Sequence, residues 1–535
     1  EAVYFQLPGP WRLLETGLRV QSWIAAYCYM EASPGLDEAF KTELLRALEL
    51  HADYLTRYLG DTDINHAIMH MQGLFMIGVF HDKHARAPYW RQLAMERLQL
   101  CQFHQIGPEG VQSELTTHYH DASIEMFGTP YLLGKLAGYP FPESYGSQLQ
   151  RMATFSLAML RPDQRSTAVG DSDWVSNGRE RVALLGAILD NETLIAEGAV
   201  SAELLWLVGA DRYMHFMGLQ QSGGSMRGNQ EFPQTGYYAL RDESQYLFFD
   251  AAPMGGAHGH ADALQFEWYW KRQLMFVDPG RYTYEEGEWR YYFKSTAAHN
   301  TVVVDGQDQT PYVSTQQWGQ PHAECELHRR DSQMEYEFMD ASHTGYMRLD
   351  QPLLHRRWLL MGKQVPLLLV VDWLEGSGRH EVCQRYQLYP GSTVSLSGGD
   401  GSPYTSAYIQ YPKTNIGMHM YWEACTTQEE RHIHVTEKTG WISEIYGSKE
   451  ETSVISAELT TEGISAIVTV IIPEELKVDA HEQGLTATDS RNDWIVERLL
   501  LDKDAQAVSA RLRHTDRILH IDVDQGHVSW QLTTE

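Results

Sequence analysis

Gly255-Gly-Ala-His-Gly-His-Ala-Asp-Ala-Leu-Gln-Phe-Glu-Trp-Tyr269 is followed by Phe276-Val-Asp-Pro-Gly280 and then by Ser295-Thr-Ala-Ala-His-Asn-Thr-Val-Val-Val-Asp305. In each run a knot of polar residues abuts β-branched or aromatic ones, the pattern of a strand bounded by a polar turn. From Leu264 to Val277 the chain reads as a hairpin turning near Lys271-Arg272-Gln273, which returns Asp278 alongside His260. The strand that begins at His299 is expected to pair next to it. His260, Asp278 and His299 then converge at one end of a sheet. Two imidazoles and a carboxylate suit a divalent metal such as zinc, with a position open for water or substrate. They read equally well as hydrogen-bonded core residues, and a metal there as structural or catalytic. Phe266, Trp268 and Trp270 share a strand face and read as core.

Outward from this cluster the period of two persists, in Tyr246-Leu-Phe-Phe249, Thr301-Val-Val-Val304 and Leu367-Leu-Leu-Val-Val-Asp372. From about Thr235 onward the chain is therefore expected to form packed antiparallel sheets. Breaks at Pro390-Gly391 and Ser397-Gly-Gly-Asp-Gly-Ser402 suggest a subsidiary sheet region after Tyr389. Before about residue 220 the apolar spacing is three and four. It predicts helices over Trp11 to Met30, Leu36 to Leu59, Asn65 to Phe80, Pro88 to Gln105 and Val111 to Leu136, parted by breakers such as Ser33-Pro34-Gly35. Such antiparallel helical hairpins close as a bundle, a solenoid or a toroid, and spacing does not choose among them. The expected division is a helical catalytic domain over 1–225, a central β-sandwich with the metal site over 226–390, and a C-terminal β-sheet region over 391–535.

At roughly 150 residues per domain, 535 residues suit two to four domains. With 43% hydrophobic and 21% charged residues the composition is that of a globular protein. Acidic residues outnumber basic ones 71 to 42, a net charge of -29, which argues against nucleic acid or an anionic membrane as partner. An anionic ligand would need a locally basic site. The cysteines Cys28, Cys101, Cys325, Cys383 and Cys425 are scattered and odd in number, which disfavours a disulfide framework or a thiolate zinc site. No apolar run approaches the length of a membrane helix. The chain opens at Glu1 rather than Met, so a removed export signal and a secreted or periplasmic setting are the expectation; with no signal pattern in the chain itself, the cytoplasm stays open.

The runs His258-Gly-His-Ala-Asp262, Val277-Asp-Pro-Gly280 and Arg290-Tyr-Tyr-Phe-Lys-Ser-Thr-Ala-Ala-His-Asn-Thr-Val302 resemble the signature of the heparinase II/III-like polysaccharide lyases. The resemblance covers most of the chain. It implies an incomplete (α/α) toroid followed by an antiparallel β-sandwich, and cleavage of a uronic-acid polysaccharide by β-elimination. It also implies zinc, calcium or manganese at His260, Asp278 and His299. In the helical half, Asp63-Ile-Asn-His-Ala-Ile-Met-His-Met-Gln-Gly73 and Gly110-Val-Gln-Ser-Glu-Leu-Thr-Thr-His-Tyr-His120 place Asn65 and Tyr119 at the family's catalytic Asn and Tyr, with His66 beside them. His258 is the imidazole of the second half that the resemblance turns toward substrate.

These residue types suit the reaction. Removing the C5 proton of an ionised uronate builds a second negative charge on one conjugated system, which an amide and an imidazole stabilise. Tyr119 acts as acid or base. A phenol titrates near 10, so Tyr119 needs cationic neighbours to serve as base. Substrate contacts are expected from Gln72, Glu114, His118 and His120, from Asp171 and Asp173 in Gly170-Asp-Ser-Asp-Trp174, and from Arg281, Tyr284, Trp289 and Arg290, which suit acidic sugars by stacking and charge. Glu114 is expected to orient His118 at i+4. Each has a plain structural alternative: Asn65 as a helix cap, Tyr119 as core, the loop aromatics as packing.

Glycosaminoglycans such as heparan sulfate, hyaluronan or chondroitin are the expected substrates, with alginate or a bacterial uronic-acid exopolysaccharide next. A glycoside hydrolase built on Asp171, Asp173 and Glu114, and a non-catalytic polysaccharide-binding protein, are the readings from other classes.

Overall fold

The computed structural model describes residues 11–175, 177–220, 228–397, 405–425, 433–476, 494–515 and 517–534. The chain divides into two compact units: Glu1–Glu114, His118–Ala158 and Ser176–Met226 in the first, Leu115–Thr117, Met159–Val175 and Arg227–Glu535 in the second. The expected boundary at 225/226 and the break from Gly398 to Ser402 lie outside the described residues.

The first unit is helical: α1 Leu13–Met30, α2 Glu38–Arg57, α3 Asn65–Phe80, α4 Ala87–Gln105, α5 Thr117–Ala137, α6 Glu143–Ala158 and α7 Gly178–Leu189, then the shorter α8 Glu192–Glu197, α9 Ala202–Val208 and α10 Ala210–Leu219. Asp37 caps α2 by accepting the Phe40 N–H at 2.8 Å, and Pro88 stands in the first turn of α4, where its missing N–H costs nothing. The α3 helix is apolar nearly all round and buried. It lies close against α1 because both contribute glycine: a Cβ on Gly17 would meet Met69 O at 2.6 Å, and one on Gly73 would meet Gly17 O at 2.6 Å. The helix expected from Val111 starts only at Thr117. Ser113 N donates to Gln105 O, and Leu115 takes φ 54°, so Gln112 to Thr116 form a loop.

The second unit is a layered antiparallel sandwich. Its eight-stranded sheet runs in the order Thr393–Ser397, Thr405–Tyr411, Ile416–Cys425, Ser465–Glu475, Leu367–Gly376, Leu353–Gly362, Tyr336–His343 and Cys325–Ser332. The apolar run at Leu367 is continuous because both faces are covered. Leu368, Val370 and Leu374 pack with Leu247, Phe266, Trp268 and Trp270 on one side. Leu369, Val371 and Trp373 pack with Leu499, Leu512 and Ile521 on the other. Pro390-Gly391 is a turn inside this unit, since strands on both sides of it join the same sheet. The separate C-terminal sheet is formed by Ile495–Asp502, Ala507–His514, Arg517–Asp524 and His527–Thr534.

The hairpin of Phe266–Trp270 and Gln273–Phe276 turns at Lys271-Arg272 as its sequence suggests, with Trp270 opposite Gln273. The next strand does not join it: Val302–Val304 pairs with Arg379–Gln387. His299 reaches the hairpin through Asn300 instead. Asn300 Nδ2 donates to Phe266 O (2.8 Å) and Val277 O (2.9 Å), and its Oδ1 accepts the Gln387 N–H (2.6 Å), so one buried amide ties three segments. Asn300→Ala strands these backbone groups and should cost about 2–3 kcal/mol, read as a lower urea midpoint; an unchanged midpoint would show that the amide does not hold the segments.

Candidate active site

In the helical unit Asn65 is the first residue of α3 but not its cap, a place held by Ile64. Gln105 Nε2 donates to Thr62 O (2.9 Å) and Ile64 O (2.8 Å), fixing the approach to the helix. Asn65 Nδ2 donates to Glu114 Oε1 at 3.3 Å, and Gln112 Nε2 donates to the same oxygen at 3.2 Å. Glu114 thus lies on the loop ahead of α5, where the i+4 relation to His118 does not apply. His66 is exposed; partial desolvation and then the Arg12 guanidinium hold its imidazole below the usual value, against the pull of Glu15 and Glu114. His118 and Tyr119 stand half-buried in the first turn of α5, their rings edge to face at 5.6 Å.

Two residues of this unit depart from the expected role. His120 is 1% exposed, its Nε2 donating to Met152 O at 3.0 Å and its ring against Phe155. It belongs to the helical core, because the step of about 100° from Tyr119 to His120 along the helix aims it inward while Tyr119 is left half-buried. Gln72 is buried two turns into α3.

In the second unit Asp171 is the hub. It is fully buried; its Oδ2 accepts Arg290 Nη2 at 2.7 Å and His258 Nδ1 at 2.9 Å, and its Oδ1 accepts His260 Nε2 at 3.1 Å and Arg290 Nη1. Burial alone would raise this carboxyl; the Arg290 guanidinium and the two imidazole N–H groups hold it well below the usual carboxylate range. The loop reaches this depth because Gly170 has φ 56° and no side chain: a Cβ there would meet His258 O at 2.6 Å. Asp171 and Arg290 therefore do not touch a sugar. Both are buried, and Arg290 spends its fork on Asp171 and its Nε on Thr315 Oγ1. Asp173 and Arg281 likewise form a two-pronged pair at 2.9 and 2.7 Å, and Arg281 Nη1 donates to the Tyr284 hydroxyl. Tyr284 stands half-buried, edge-on to His258 at 5.9 Å. Trp289 is half-buried against Trp441.

Because a carboxylate only accepts, His258 carries its proton on Nδ1 and His260 on Nε2. His299 Nδ1 donates to Ser295 O at 2.8 Å, which leaves the lone pair on Nε2. His260 Nδ1 and His299 Nε2 consequently face each other at 3.2 Å as two acceptors with no proton between them. Burial favours this neutral state, pushing His260 down to about 4 and His299 well below its ordinary value. Asp278 Oδ2 and Asp262 Oδ2 lie 3.5 and 3.8 Å from His299 Nε2. His260, Asp262 and His299 bring ligand atoms within 4.8 Å of one another. Asp250, Asp262 and Asp278 are buried together, and no Lys or Arg among the described residues pairs with them. Burial and mutual repulsion raise Asp250 and Asp278 well above the carboxylate range, and burial pushes Asp262 up to about 7. Facing lone pairs beside excess buried carboxylate are the donor set of a divalent cation. Asp262 went unnominated by the sequence reading although it stands two residues after His260 in the quoted motif. Lys294, also missed, donates to Ala257 O at 2.7 Å just ahead of His258; burial and then Arg290 push it down to about 8.

Helical hairpins followed by an antiparallel sandwich define the toroid-plus-sandwich class. The chain belongs to the heparinase II/III-like family: residues 8–184 match the heparinase II/III N-terminus, and residues 226–496 match the heparinase II/III-like C-terminal model. It is similar to a heparin-sulfate lyase of Pedobacter heparinus, 26% identical over 308 residues, covering 56% of this chain and 44% of the relative. A heparin-sulfate lyase of Bacteroides stercoris is 22% identical over 488 residues, covering 88% of this chain and 66% of that one. The chain thus spans less than half the length of the first curated relative and about two thirds of the second. The fold matches a solved heparinase III, the BT4657 gene product, at TM-score 0.73 and 19% identity, covering 98% of this chain and 74% of that one. It matches heparan sulfate lyase HepC of Pedobacter heparinus at TM-score 0.69 and 20% identity, with 98% and 74% covered.

Burial holds His120, like His260, at about 4, below the ordinary value near 6.5. Between those values the unfolded chain binds more protons than the folded one, so stability is full above about 6.5 and falls as pH drops toward 4, by roughly 2 kcal/mol per imidazole at pH 5. The thermal midpoint should fall on acidification from neutrality, and His120→Gln, which keeps a donor for Met152 O, should flatten the slope; an unaltered slope would refute the assignment.

Proposed function

We propose that this chain is a polysaccharide lyase that cleaves a uronic-acid glycosaminoglycan of heparan sulfate, hyaluronan or chondroitin type by β-elimination. The observation that carries this reading is Asn65: its amide is not spent on capping, is oriented by Glu114, and stands beside the exposed His66, whose imidazole is kept neutral. One N–H of Nδ2 goes to Glu114; the second is the donor for a substrate carboxylate, with His66 as its companion. Tyr119, as its phenolate, takes the C5 proton; as the C5 electron pair forms the C4–C5 double bond, the C4–O4 bond breaks and the proton taken by Tyr119 passes to O4. The products are a 4,5-unsaturated uronate and a new hydroxyl end. His258 is the second imidazole assigned to substrate, its proton fixed on Nδ1 by Asp171 so that Nε2 is the exchanging atom.

His260 Nδ1, His299 Nε2 and the carboxylates of Asp262 and Asp278 are the set that would hold a divalent cation, zinc by its ligand types. If bound, such an ion would supply positive charge to neutralise the acidic cluster and would hold His260, whose other nitrogen rests on Asp171. The relatives' descriptions as heparin-sulfate lyases support a glycosaminoglycan. The net charge of -29 favours a lightly sulfated one. No helix among the described residues is long and apolar enough to cross a membrane; a polymeric substrate places the reaction outside the cytoplasm. A hydrolase on Asp171 and Asp173 is disfavoured, because a hydrolytic acid must hold a proton and Asp171 is kept ionised by Arg290.

Ultraviolet absorbance of the unsaturated uronate should rise with at least one glycosaminoglycan. Tyr119→Phe and Asn65→Ala should each abolish it with the melting profile intact; near-normal rates in both would sink the mechanism, and reducing ends without absorbance would establish hydrolysis. The metal reading predicts a roughly equimolar divalent ion lost in His299→Ala; a fully active metal-free protein would overturn it.

A further inference from the structure

The tip of the hairpin joining His434–Ile445 to Ser448–Glu462 is exposed: Ile445 is 51% and Tyr446 45% accessible. Its backbone is nonetheless bolted to the loops that carry the polar centre of the second unit. Trp174 N donates to Glu444 O (2.9 Å), Ser443 N to Pro279 O (2.7 Å) and Gly447 N to Tyr282 O (2.8 Å). A glycine is required at the seam, since a Cβ on Gly280 would meet Ser443 O at 2.2 Å. The Tyr446 hydroxyl accepts the Tyr284 N–H at 3.4 Å, yet about half of the side chain stays exposed on this firmly anchored tip.

The rings continue a row. His258 meets Tyr284 at 5.9 Å, and Tyr284 meets Tyr446 at 5.5 Å with 33° between the planes. The Arg281 guanidinium lies 5.5 and 5.3 Å from the two tyrosine rings, its charge already matched by Asp173. Three residues past Tyr446, Lys449 Nζ is held 3.9 Å from the centroids of both Trp289 and Trp441. Two indole faces stabilise the ammonium's charge but do not use up its three N–H donors, and no carboxylate among the described residues pairs with it. A fixed, solvent-reachable ammonium beside aromatic faces suits an acidic group on a ring that stacks.

We propose that Tyr284 and Tyr446 form a sugar-stacking subsite next to His258, and that Lys449, caged by Trp289 and Trp441, binds a carboxylate or sulfate of the same acidic polymer. The subsite rests on the lyase reading for its substrate class. It gives the His434–Glu462 hairpin, remote in sequence from the motifs, a role in binding the polymer.

The test measures KM and kcat for elimination of heparan sulfate, hyaluronan and chondroitin sulfate by the parent, Tyr446→Ala, Tyr446→Trp and Lys449→Gln. Tyr446→Ala should raise KM roughly 3- to 10-fold, with a smaller change in kcat and with rescue by Tyr446→Trp. Lys449→Gln should raise KM at low ionic strength and converge on the parent at high salt. KM values within about twofold of the parent in both variants would overturn the subsite. If the parent yields no unsaturated product, the lyase reading fails, and the subsite is judged by affinity electrophoresis in the same polymers. Retardation of the parent that Tyr446→Ala and Lys449→Gln weaken would uphold it; absent or unaltered retardation would overturn it.

Discussion

The carboxylate of Asp171 is the point on which the chemistry-bearing part of the sandwich unit depends. Buried without partners it would take up a proton and leave both histidines without an orienting acceptor. Clamped by Arg290 it stays ionised, and an ionised carboxylate can only accept, so the proton positions of His258 and His260 are dictated together. The two imidazoles then diverge in use. His258 is half-buried and turned toward Tyr284, whereas His260 is fully buried and turned toward His299. One anion, at no net cost in buried charge because Arg290 offsets it, sets the geometry of both.

The group behind it is built the opposite way. Asp250, Asp262 and Asp278 lie together with no Lys or Arg among the described residues on them, and the histidines beside them point lone pairs at each other. Gln265 Nε2 bridges Asp262 and Asp278 at 2.8 Å to each, which eases the repulsion without cancelling the charge. Where Arg290 offsets Asp171, this second group instead relies on burial, which raises Asp250, Asp262 and Asp278 above the carboxylate range.

The fold class was legible because apolar periodicity is local: spacing of three and four marks the helices, and a run buried on both faces marks a central strand. The hairpin turn at Lys271-Arg272 and the start of α3 at Asn65 were likewise readable. What local pattern does not carry is partnership. The strand after His299 pairs with Arg379–Gln387, some 80 residues on, and no spacing rule finds such a neighbour. Arg290 reads as a sugar ligand because arginine beside aromatic rings suits acidic sugars, and Asp171 because its loop resembles one that lines the family's cleft; their mutual pairing across the sequence inverts both expectations. His120 was misplaced by one helical position. Tyr446 lies in a hairpin with no motif of its own, and only its backbone bonds to the loops at Trp174, Pro279 and Tyr282 bring it to notice.

The core itself carries a further constraint. Gly345 N–H donates to His343 Nδ1, His343 Nε2 meets His355 Nδ1 at 2.9 Å, and His355 Nε2 meets Asp372 Oδ1 at 2.8 Å, so one direction of donation runs through two neutral imidazoles to a buried carboxylate. Asp372 also takes the Arg357 fork at 2.7 and 2.9 Å. Apolar residues of equal volume would stabilise the sandwich as well as this buried ion pair does. What they would not supply are the two donors that Arg357 Nη1 sends, at 2.7 Å each, to Leu264 O and Asn300 O. Leu264 has φ 63°, a conformation its side chain resists, and it follows Asp262 by two residues; Asn300 adjoins His299. The ion pair therefore matters for where it anchors backbone: it fixes, from inside the sheet, the two segments that carry His260, Asp262 and His299.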